Sequence, residues 1–194
     1  GCGKTTLAAN FTEKACKQGR KVLYVSFEES QEAIVDAMLS PGIDLRKALN
    51  KGKLKFHTLM PESLVPEEHL FRILQKAEEF QPDHIIIDAV SAAKRMSTKQ
   101  AAFDFLIRLT DACKQRNITC LMTNQLDDNQ QQFDISGIGI LSIIDTLITI
   151  RFVETGGQFQ RDLMIRKSRA ARHSNRHHKY LINDDGIAIE SREG

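Results

Sequence analysis

The sequence GCGKTT, residues 1–6, decides the fold class of this chain. Gly3, Lys4 and Thr5 occupy the last three positions of the pattern G-x-x-x-x-G-K-[ST], whose first glycine would lie three residues before Gly1. In such a loop, backbone N–H groups and the N-terminal end of the following helix bind phosphate groups. The pattern predicts that Lys4 contacts the β- and γ-phosphates of a nucleotide, and that the Thr5 hydroxyl ligates Mg²⁺. The predicted nucleotide-binding residues of this segment are Gly1, Cys2, Gly3, Lys4, Thr5 and Thr6.

The domain prediction follows from the position of this motif. A chain of 194 residues, of which 41% are hydrophobic, is sufficient for one domain with its own core. We expect residues 1–194 to form a single domain truncated at its N-terminus inside the phosphate-binding (Walker A) loop, with the first strand of the sheet missing from the sequence.

Composition excludes several classes of protein. The formal net charge of +2 is nearly balanced, which argues against a protein that mainly coats nucleic acid. No apolar run approaches the roughly 18 residues of a membrane-spanning helix. The four cysteines form no Cys-x-x-Cys pair, so a reducing compartment suits them better than a disulfide framework or a zinc site. We therefore expect a cytoplasmic protein that does not enter a membrane.

Short β-rich segments alternate with helical periodicity, which predicts βαβ units and a mainly parallel sheet. Predicted strands are 21–27, 54–59, 84–89 and 118–123, and predicted helices lie between them. From about residue 145 the pattern changes to four strands joined by hairpin turns at 155–157 and 184–186. The predicted fold class is α/β, a parallel sheet flanked by helices and extended by antiparallel strands at its C-terminal side.

Carboxylates follow two of the predicted strands. The strand HIIID, residues 84–88, places Asp88 at its C-terminal edge, where ligands bind in α/β sheets, so Asp88 is the expected Mg²⁺ partner. Glu28 and Glu29 follow the strand KVLYVSF, which we expect beside the strand that enters the phosphate loop. A carboxylate there is placed to activate water for attack on the γ-phosphate. Glu28, Glu29 and Lys4 are therefore the candidate catalytic residues.

Two further polar segments leave alternatives open. Asn124 ends the strand ITCLMT, where it is either a sensor of the γ-phosphate or part of an ordinary turn. Residues 161–179 are rich in Lys, Arg and His. This basic segment is a solvated face, a nucleic-acid patch, or a set of hydrogen-bond donors for a neighbouring subunit's phosphates.

With these motifs assembled, the chain resembles the KaiC branch of the RecA-like P-loop ATPases over nearly its whole length. The segments that carry the resemblance are GCGKTTLA, KVLYVSFEES, IIIDAVSAAKR, SIIDTLITIRFVE and KSRAARHSN. The resemblance implies ATP and Mg²⁺ as ligands, a homo-oligomer in the form of a hexameric ring, and Glu28 and Glu29 as catalytic carboxylates. It also implies that a neighbouring subunit's nucleotide is contacted by Lys167, Arg169, His173 and Arg95.

Some members of that family transfer phosphate to their own Ser and Thr residues just before the Asp-Thr strand. Where the clock proteins carry an adjacent Ser-Thr pair, this chain carries Leu141-Ser142, so Ser142 is the one candidate phosphosite at that place. Ala170 also replaces a glycine that often follows Lys-x-Arg in the family. The resemblance thus implies a signalling ATPase with regulatory protein partners and leaves Ser/Thr autokinase activity open.

The rival class is a DNA-acting RecA relative, a recombinase or a ring helicase. Such proteins line the ring centre with basic or aromatic loop residues, whereas the predicted loop 126–139 contains Asp127, Asp128 and Asp134 and neither Lys nor Arg. Acidic side chains repel a phosphate backbone, so nucleic acid is a disfavoured partner. A third alternative is a nucleotide-gated scaffold that hydrolyses ATP slowly and signals through the shape of its ring.

Overall fold

The computed structural model of the chain describes residues 2–95, 98–125, 142–169 and 171–190. Gly1, Leu141, Ala170 and the predicted loop 126–139 lie outside the described residues. The helices are α1 (Lys4–Lys17), α2 (Gln31–Ala37), α3 (Arg46–Asn50), α4 (Pro66–Phe80) and α5 (Lys99–Gln115). The strands are β1 (Val22–Ser26), β2 (Leu54–Thr58), β3 (His84–Asp88), β4 (Thr119–Met122), β5 (Thr146–Thr155), β6 (Gln158–Ser168), β7 (His178–Asn183) and β8 (Gly186–Ile189). Short 3₁₀ segments occupy Pro61–Ser63 and Val90–Arg95.

Local sequence fixes where several helices begin. The Ser30 side chain accepts a hydrogen bond from the Ala33 N–H at 3.2 Å, and Thr98 does the same for Ala101 at 3.2 Å. These hydroxyls satisfy N–H groups that have no partner within the first helical turn. Pro66 opens α4, where its missing N–H removes nothing that the helix needs.

The first sheet is parallel and has the strand order β2-β1-β3-β4. Ser26 at the end of β1 is in register with Asp88 at the end of β3, and the Phe27 N–H donates to the Asp88 carbonyl at 2.9 Å. The carboxyl ends of the two central strands therefore lie level at one edge of the sheet. This arrangement confirms the predicted α/β fold class with a parallel sheet flanked by helices.

Helices cover both faces of this sheet, which explains why β1 and β3 read as continuous apolar runs. One face packs Leu23, Val25 and Ile87 against α4 and α5. The other face packs Tyr24 and Ile86 against α1, α2 and α3. Because α1 connects to β1 through the short segment 18–21 and packs against the sheet, it runs back along β1. The N-terminal end of α1 is thereby directed toward the carboxyl edge of the strands.

The second sheet is antiparallel with the order β5-β6-β7-β8. Gly156 and Gly157, both with positive φ, form the turn that connects β5 to β6. Asp184 and Asp185 form the turn that connects β7 to β8. The predicted change from parallel to antiparallel strands near residue 145 and both predicted hairpins are confirmed.

The β7–β8 turn packs directly on the helical layer of the first sheet. An ideal Cβ on Gly42, whose φ is 70°, would stand 1.5 Å from the Asp184 carbonyl oxygen. A Cβ on Gly186 would stand 2.5 Å from Asn10 Oδ1 of α1. Glycine at these two positions allows the antiparallel sheet to lie against α1 and the segment after α2.

One sequence expectation about strand neighbours is wrong. We expected β1 beside a strand leading into the phosphate loop, but both edges of β1 are hydrogen-bonded, one to β2 and one to β3. A strand has only two hydrogen-bonding edges, so no further strand can pair with β1. Among the described helices, none is long and apolar enough to cross a membrane.

Candidate functional site

The described part of the phosphate-binding motif forms the start of α1. Gly3 is the N-cap residue in the left-handed conformation (φ 100°, ψ 28°), and its carbonyl accepts the Leu7 N–H at 2.9 Å. Gly3 has no side chain that could cap this end of α1, and no acidic residue lies in the first turn of the helix. The free N–H groups and the positive end of the helix dipole are therefore available to an anion.

Strand β7 of the antiparallel sheet packs against this turn. The Tyr180 hydroxyl of β7 donates a hydrogen bond to the Cys2 carbonyl. The φ of 100° favours glycine at position 3, whereas a Cβ there would crowd only Ile182 Cδ1, at 2.8 Å, the end of a side chain that can move aside. Burial raises the pKa of Tyr180 to about 12, so the hydroxyl keeps its proton and remains a donor at neutral pH. Sequence analysis missed Tyr180, because its partner lies 178 residues away along the chain.

Asp88 is buried, and hydroxyl groups donate to both of its carboxylate oxygens. Tyr24 of β1 donates to Oδ2 at 2.7 Å, and Thr123, just after β4, donates to Oδ1. Burial and the Asp88 carboxylate hold the pKa of Tyr24 well above its usual range. Each carboxylate oxygen has a second lone pair that remains available for a water or another donor.

Glu28 and Glu29 stand just beyond β1 at the same edge of the sheet, and both are exposed. The Ser26 hydroxyl accepts the Glu29 N–H at 3.1 Å and donates to the Glu29 carbonyl at 2.7 Å, which fixes the backbone of this turn. The negative charge of Glu29 is a further, smaller cause of the raised pKa of Tyr24, after burial and Asp88. The Glu28 carboxylate is directed toward Arg95.

Arg95 ends the 3₁₀ segment after β3 and forms ion pairs within its own chain. Its Nε lies 2.8 Å from Glu62 Oε1, and its Nη1 lies 3.7 Å from Glu28 Oε1. Sequence reasoning did not identify Glu62, which precedes α4 and carries no motif. The contact of Arg95 with a neighbouring subunit's nucleotide stays a prediction, since the structure holds a single chain.

Asn124 follows Thr123 at the end of the same sheet edge. Both its Nδ2 and its Oδ1 are buried, and neither has a hydrogen-bond partner among the described residues. A buried amide without partners is costly in free energy, and such groups concentrate where a ligand completes the hydrogen bonding. The position of Asn124 is therefore compatible with its predicted contact to a phosphate.

An open cavity of about 250 Å³ lies beside Thr6. Its walls come from the end of α2, the segment that follows α2, and the β7–β8 turn, and they include Met38, Ser40, Pro41, Ile182 and Asn183. The wall is part apolar and part polar. No sequence motif marks this cavity, because its walls are formed by segments far apart along the chain.

The basic residues of the C-terminal sheet hold the segment before β5. Lys167 Nζ donates to the Ile144 carbonyl at 2.8 Å, and Arg169 Nη2 donates to the Ser142 carbonyl at 3.0 Å. Arg169 Nη1 also lies 3.8 Å from the Asp145 carboxylate. His173 lies in the irregular segment after β6 and is half-buried. The predicted trans contacts of Lys167, Arg169 and His173 stay predictions, as does phosphorylation of Ser142.

The structure thus brings Glu28, Glu29, Asp88 and Asn124 to one edge of the parallel sheet, with the N-terminal end of α1 directed to the same edge. The profile of the family described as "ATPase: KaiC" matches residues 1–194. The chain belongs to the KaiC ATPase family.

Curated relatives agree with this assignment. The chain is 35% identical over 190 residues to the circadian clock oscillator protein KaiC of Rippkaea orientalis. It is 34% identical over 189 residues to the circadian clock oscillator protein KaiC 1, and 30% identical over 189 residues to the circadian clock protein KaiC3, both of Synechocystis. These alignments cover 97–98% of the chain and 36–37% of each relative. The chain therefore spans little more than a third of the length of these relatives.

A substitution at Tyr180 tests whether its hydrogen bond to Cys2 stabilises the proposed phosphate-binding turn. In the full-length protein that contains this chain, Tyr180→Phe removes one hydroxyl and leaves the ring packing intact. We expect Mg–ATP affinity to fall about fivefold, since a hydrogen bond of this kind contributes ~1 kcal/mol. Calorimetric titration with a non-hydrolysable ATP analogue measures the change.

Thr149→Val is the matched control, because the Thr149 hydroxyl donates to the Met164 carbonyl at 3.3 Å in the same sheet. We expect this variant to bind the analogue as the parent does. Equal affinities for the Tyr180→Phe and Thr149→Val proteins would show that β7 does not support the phosphate site.

Proposed function

We propose that this KaiC-family chain binds ATP with Mg²⁺ and hydrolyses it at the carboxyl edge of the parallel sheet. The observation that carries this proposal is the shared edge: Asp88 is level with Ser26, and Glu28 and Glu29 follow directly. The uncapped end of α1 supplies N–H groups for phosphate oxygens, and Lys4 in its first turn supplies a cation. Glu28 and Glu29 supply carboxylates that can orient and deprotonate a water.

The oxygen donors at this edge suit Mg²⁺, which prefers hydroxyl, carboxylate and water oxygens. Thr5 would provide its hydroxyl as a direct ligand. Asp88, whose two oxygens already accept hydroxyl donors, would act through its remaining lone pairs on water bound to the ion. When bound, the ion would neutralise phosphate charge and orient the transferred group.

The cavity beside Thr6 suits the nucleoside part of the ligand. It adjoins the predicted phosphate-binding segment, and it offers apolar walls from Met38, Pro41 and Ile182. Asn183 and Ser40 supply polar groups that can bind ribose hydroxyls. Gly1, Cys2, Gly3, Thr6 and Asn124 complete the proposed nucleotide-binding set.

We further propose that the full-length protein is a cytoplasmic homo-oligomer, a hexameric ring with ATP between subunits. Lys167, Arg169 and His173 are the expected contacts to a neighbour's nucleotide, by the family resemblance. The resemblance also includes Arg95 in that set, although its ion pairs in the structure are with Glu28 and Glu62 of its own chain. Such a ring would act as a signalling ATPase read by regulatory protein partners. A DNA-acting RecA-type function is not favoured by the family match.

Ser142 is the proposed acceptor if the protein also phosphorylates itself. Its carbonyl is held by Arg169, so Ser142 is adjacent to a residue proposed to contact a neighbour's ATP. Phosphopeptide mapping of the full-length protein after incubation with Mg–ATP separates an autokinase from a ring that signals by shape alone.

Two kinds of variant separate nucleotide binding from turnover. Lys4→Ala in the full-length protein should weaken ATP binding by about tenfold or more, because it removes a charge-assisted hydrogen bond to phosphate. The double variant Glu28→Gln Glu29→Gln should still bind ATP but hydrolyse it roughly 10²-fold more slowly, because the amides are not bases. Calorimetry and phosphate release measure the two quantities.

Two exposed residues provide matched controls. Lys14→Ala changes an exposed lysine further along α1, and Glu32→Gln changes an exposed glutamate in the first turn of α2. Both proteins should behave as the parent does. Unchanged ATP affinity in the Lys4→Ala protein would refute the phosphate site, and parent-like hydrolysis by the double Gln variant would refute the catalytic carboxylates.

The ring makes a prediction about mixed subunits. If Arg169 serves a neighbour's ATP, Arg169→Ala protein mixed with Glu28→Gln Glu29→Gln protein should regain activity, because some interfaces pair an intact carboxylate site with an intact arginine. Light scattering should show larger particles with ATP, since a ligand that binds only the interface stabilises it. Monomers under both conditions, together with no recovery on mixing, would remove the ring and leave a P-loop ATPase that acts alone.

A further inference from the structure

We propose that Arg95 is a positioning residue for Glu28 of its own chain, and that Glu62 holds Arg95 in the required place. The inference rests on the proposed role of Glu28 as a water-activating carboxylate. It assigns a function in cis to an arginine that the resemblance assigns to a neighbouring subunit, and it adds Glu62 to the machinery of hydrolysis.

The guanidinium group of Arg95 bridges two carboxylates with different nitrogens. Nε pairs with Glu62 at 2.8 Å, which is hydrogen-bonding distance, whereas Nη1 lies 3.7 Å from Glu28. Guanidinium is planar and presents its donors in a fixed fork, so fixing Nε also fixes the direction of Nη1. Glu62 therefore sets where the positive charge stands relative to Glu28.

Glu62 is carried by a rigid turn. The 3₁₀ turn Pro61–Ser63 is held by His69 of α4, which is fully buried and whose Nε2 lies 3.0 Å from the Pro61 carbonyl. Ser63 adds a hydrogen bond from its hydroxyl to the Met60 carbonyl at 2.6 Å. The carboxylate of Glu62 thus projects from a backbone that α4 keeps in place.

Arg95 is carried by an equally fixed segment. Val90, Ala92 and Ala93 of the 3₁₀ segment before it are buried, and the Val90 N–H donates to the Thr123 carbonyl at 2.8 Å. The backbone segments that carry Arg95 and Glu62 are therefore attached to the packed core, although the paired side chains themselves are about half exposed. This is the construction expected of a support that holds an exposed group in one orientation.

Glu28 needs such a support because its own backbone does not orient its carboxylate. Ser26 fixes the backbone of Glu29, but the Glu28 side chain is 47% exposed, and among the described residues Arg95 is the cation that lies within 4.0 Å of it. A base must stand within hydrogen-bonding reach of the proton that it takes, so a freely rotating carboxylate is a poor base. Arg95 restricts that rotation.

The contribution of this pair to folding is expected to be small. Ion pairs between exposed side chains add little to stability. Removing Arg95 or Glu62 should therefore leave the fold intact, and a change in turnover then reports the placement of Glu28. If Arg95 acted in trans, it would have to leave Glu62 and Glu28 to reach a neighbouring subunit's phosphate.

Kinetics of single and double variants of the full-length protein test the inference. We expect Arg95→Gln to lower kcat about tenfold and Glu62→Gln to lower it about threefold, with KM for ATP unchanged, because misplacement of a catalytic group affects the reaction and not ground-state binding. In the Arg95→Gln background, Glu62→Gln should have no further effect, since Glu62 acts through Arg95. Additive losses, a raised KM, or an unchanged kcat in Arg95→Gln would overturn the inference.

Arg72→Gln is the matched control. Arg72 also pairs through Nε with a glutamate, Glu68, at 2.8 Å, and its side chain is 48% exposed, as is that of Arg95. It lies on α4, away from Glu28, and the Arg72→Gln protein should keep the parent kcat. A loss equal to that of Arg95→Gln would show that any exposed arginine pair has the same effect and would overturn the assignment.

Mixing separates action in cis from action in trans. In cis, Arg95→Gln protein mixed with Glu28→Gln Glu29→Gln protein stays as slow as the average of the two, because each subunit carries its own defect. Recovery of activity on mixing would place Arg95 on a neighbour's site and overturn the inference. The single variant Glu28→Gln shows which of the two proposals fails. Parent-like hydrolysis by Glu28→Gln protein would refute the proposed role of Glu28. Slow hydrolysis by Glu28→Gln protein together with parent-like hydrolysis by Arg95→Gln protein would refute only the positioning role of Arg95.

Discussion

The site depends on one buried carboxylate that joins three strands. Asp88 of β3 accepts hydroxyl donors from Tyr24 on β1 and from Thr123 after β4, so a single side chain sets the relative positions of three strand ends. An ionised carboxylate inside a protein is costly unless polar groups replace the water that it loses. Here two hydroxyls supply that replacement, and each carboxylate oxygen keeps a second lone pair for a water or another donor.

Other candidate site residues lie beside Asp88 at the carboxyl edge of the parallel sheet. Because Ser26 and Asp88 are in register, the turn that carries Glu28 and Glu29 starts level with Asp88. Thr123 is hydrogen-bonded to Asp88, and the next residue, Asn124, lies at the same edge with its amide nitrogen and oxygen buried and unpaired among the described residues. Electrostatic preorganisation of this kind, in which donors and acceptors are in place before the ligand arrives, is a large part of enzymatic catalysis.

The antiparallel sheet also contacts the residue before the N-terminal turn of α1 and the segment after α2. Tyr180 holds the Cys2 carbonyl, and the β7–β8 turn fits against Gly42 with no room for a side chain. Further along, Lys167 and Arg169 bind the carbonyls of Ile144 and Ser142. The residues proposed to reach a neighbour's ATP are thus physically connected to the candidate phosphosite, so a change at one is placed to move the other.

The sequence predicted the parts of the structure that depend on local pattern. Apolar runs that end in Asp88 and just before Glu28 predict buried parallel strands, and the helix predicted after Gly3-Lys4 begins at Lys4. Phosphate binding by that turn stays a prediction. The sequence did not predict Tyr24, Thr123, Tyr180 or Glu62, because each acts through a partner far along the chain and none belongs to a motif. It also gave β1 a wrong neighbour, since strand order depends on packing of the helical connections rather than on the strand's own residues.

Thr5 and Asp88 are proposed to hold the metal of a bound nucleotide at one sheet edge, Thr5 directly and Asp88 through water. Crystals of the full-length protein with Mn²⁺ and a non-hydrolysable ATP analogue test it through the anomalous scattering of the metal. We expect one strong anomalous peak within ligand distance of the Thr5 hydroxyl, with an Asp88 oxygen about one water further away. A nucleotide-bound peak away from both residues would contradict it.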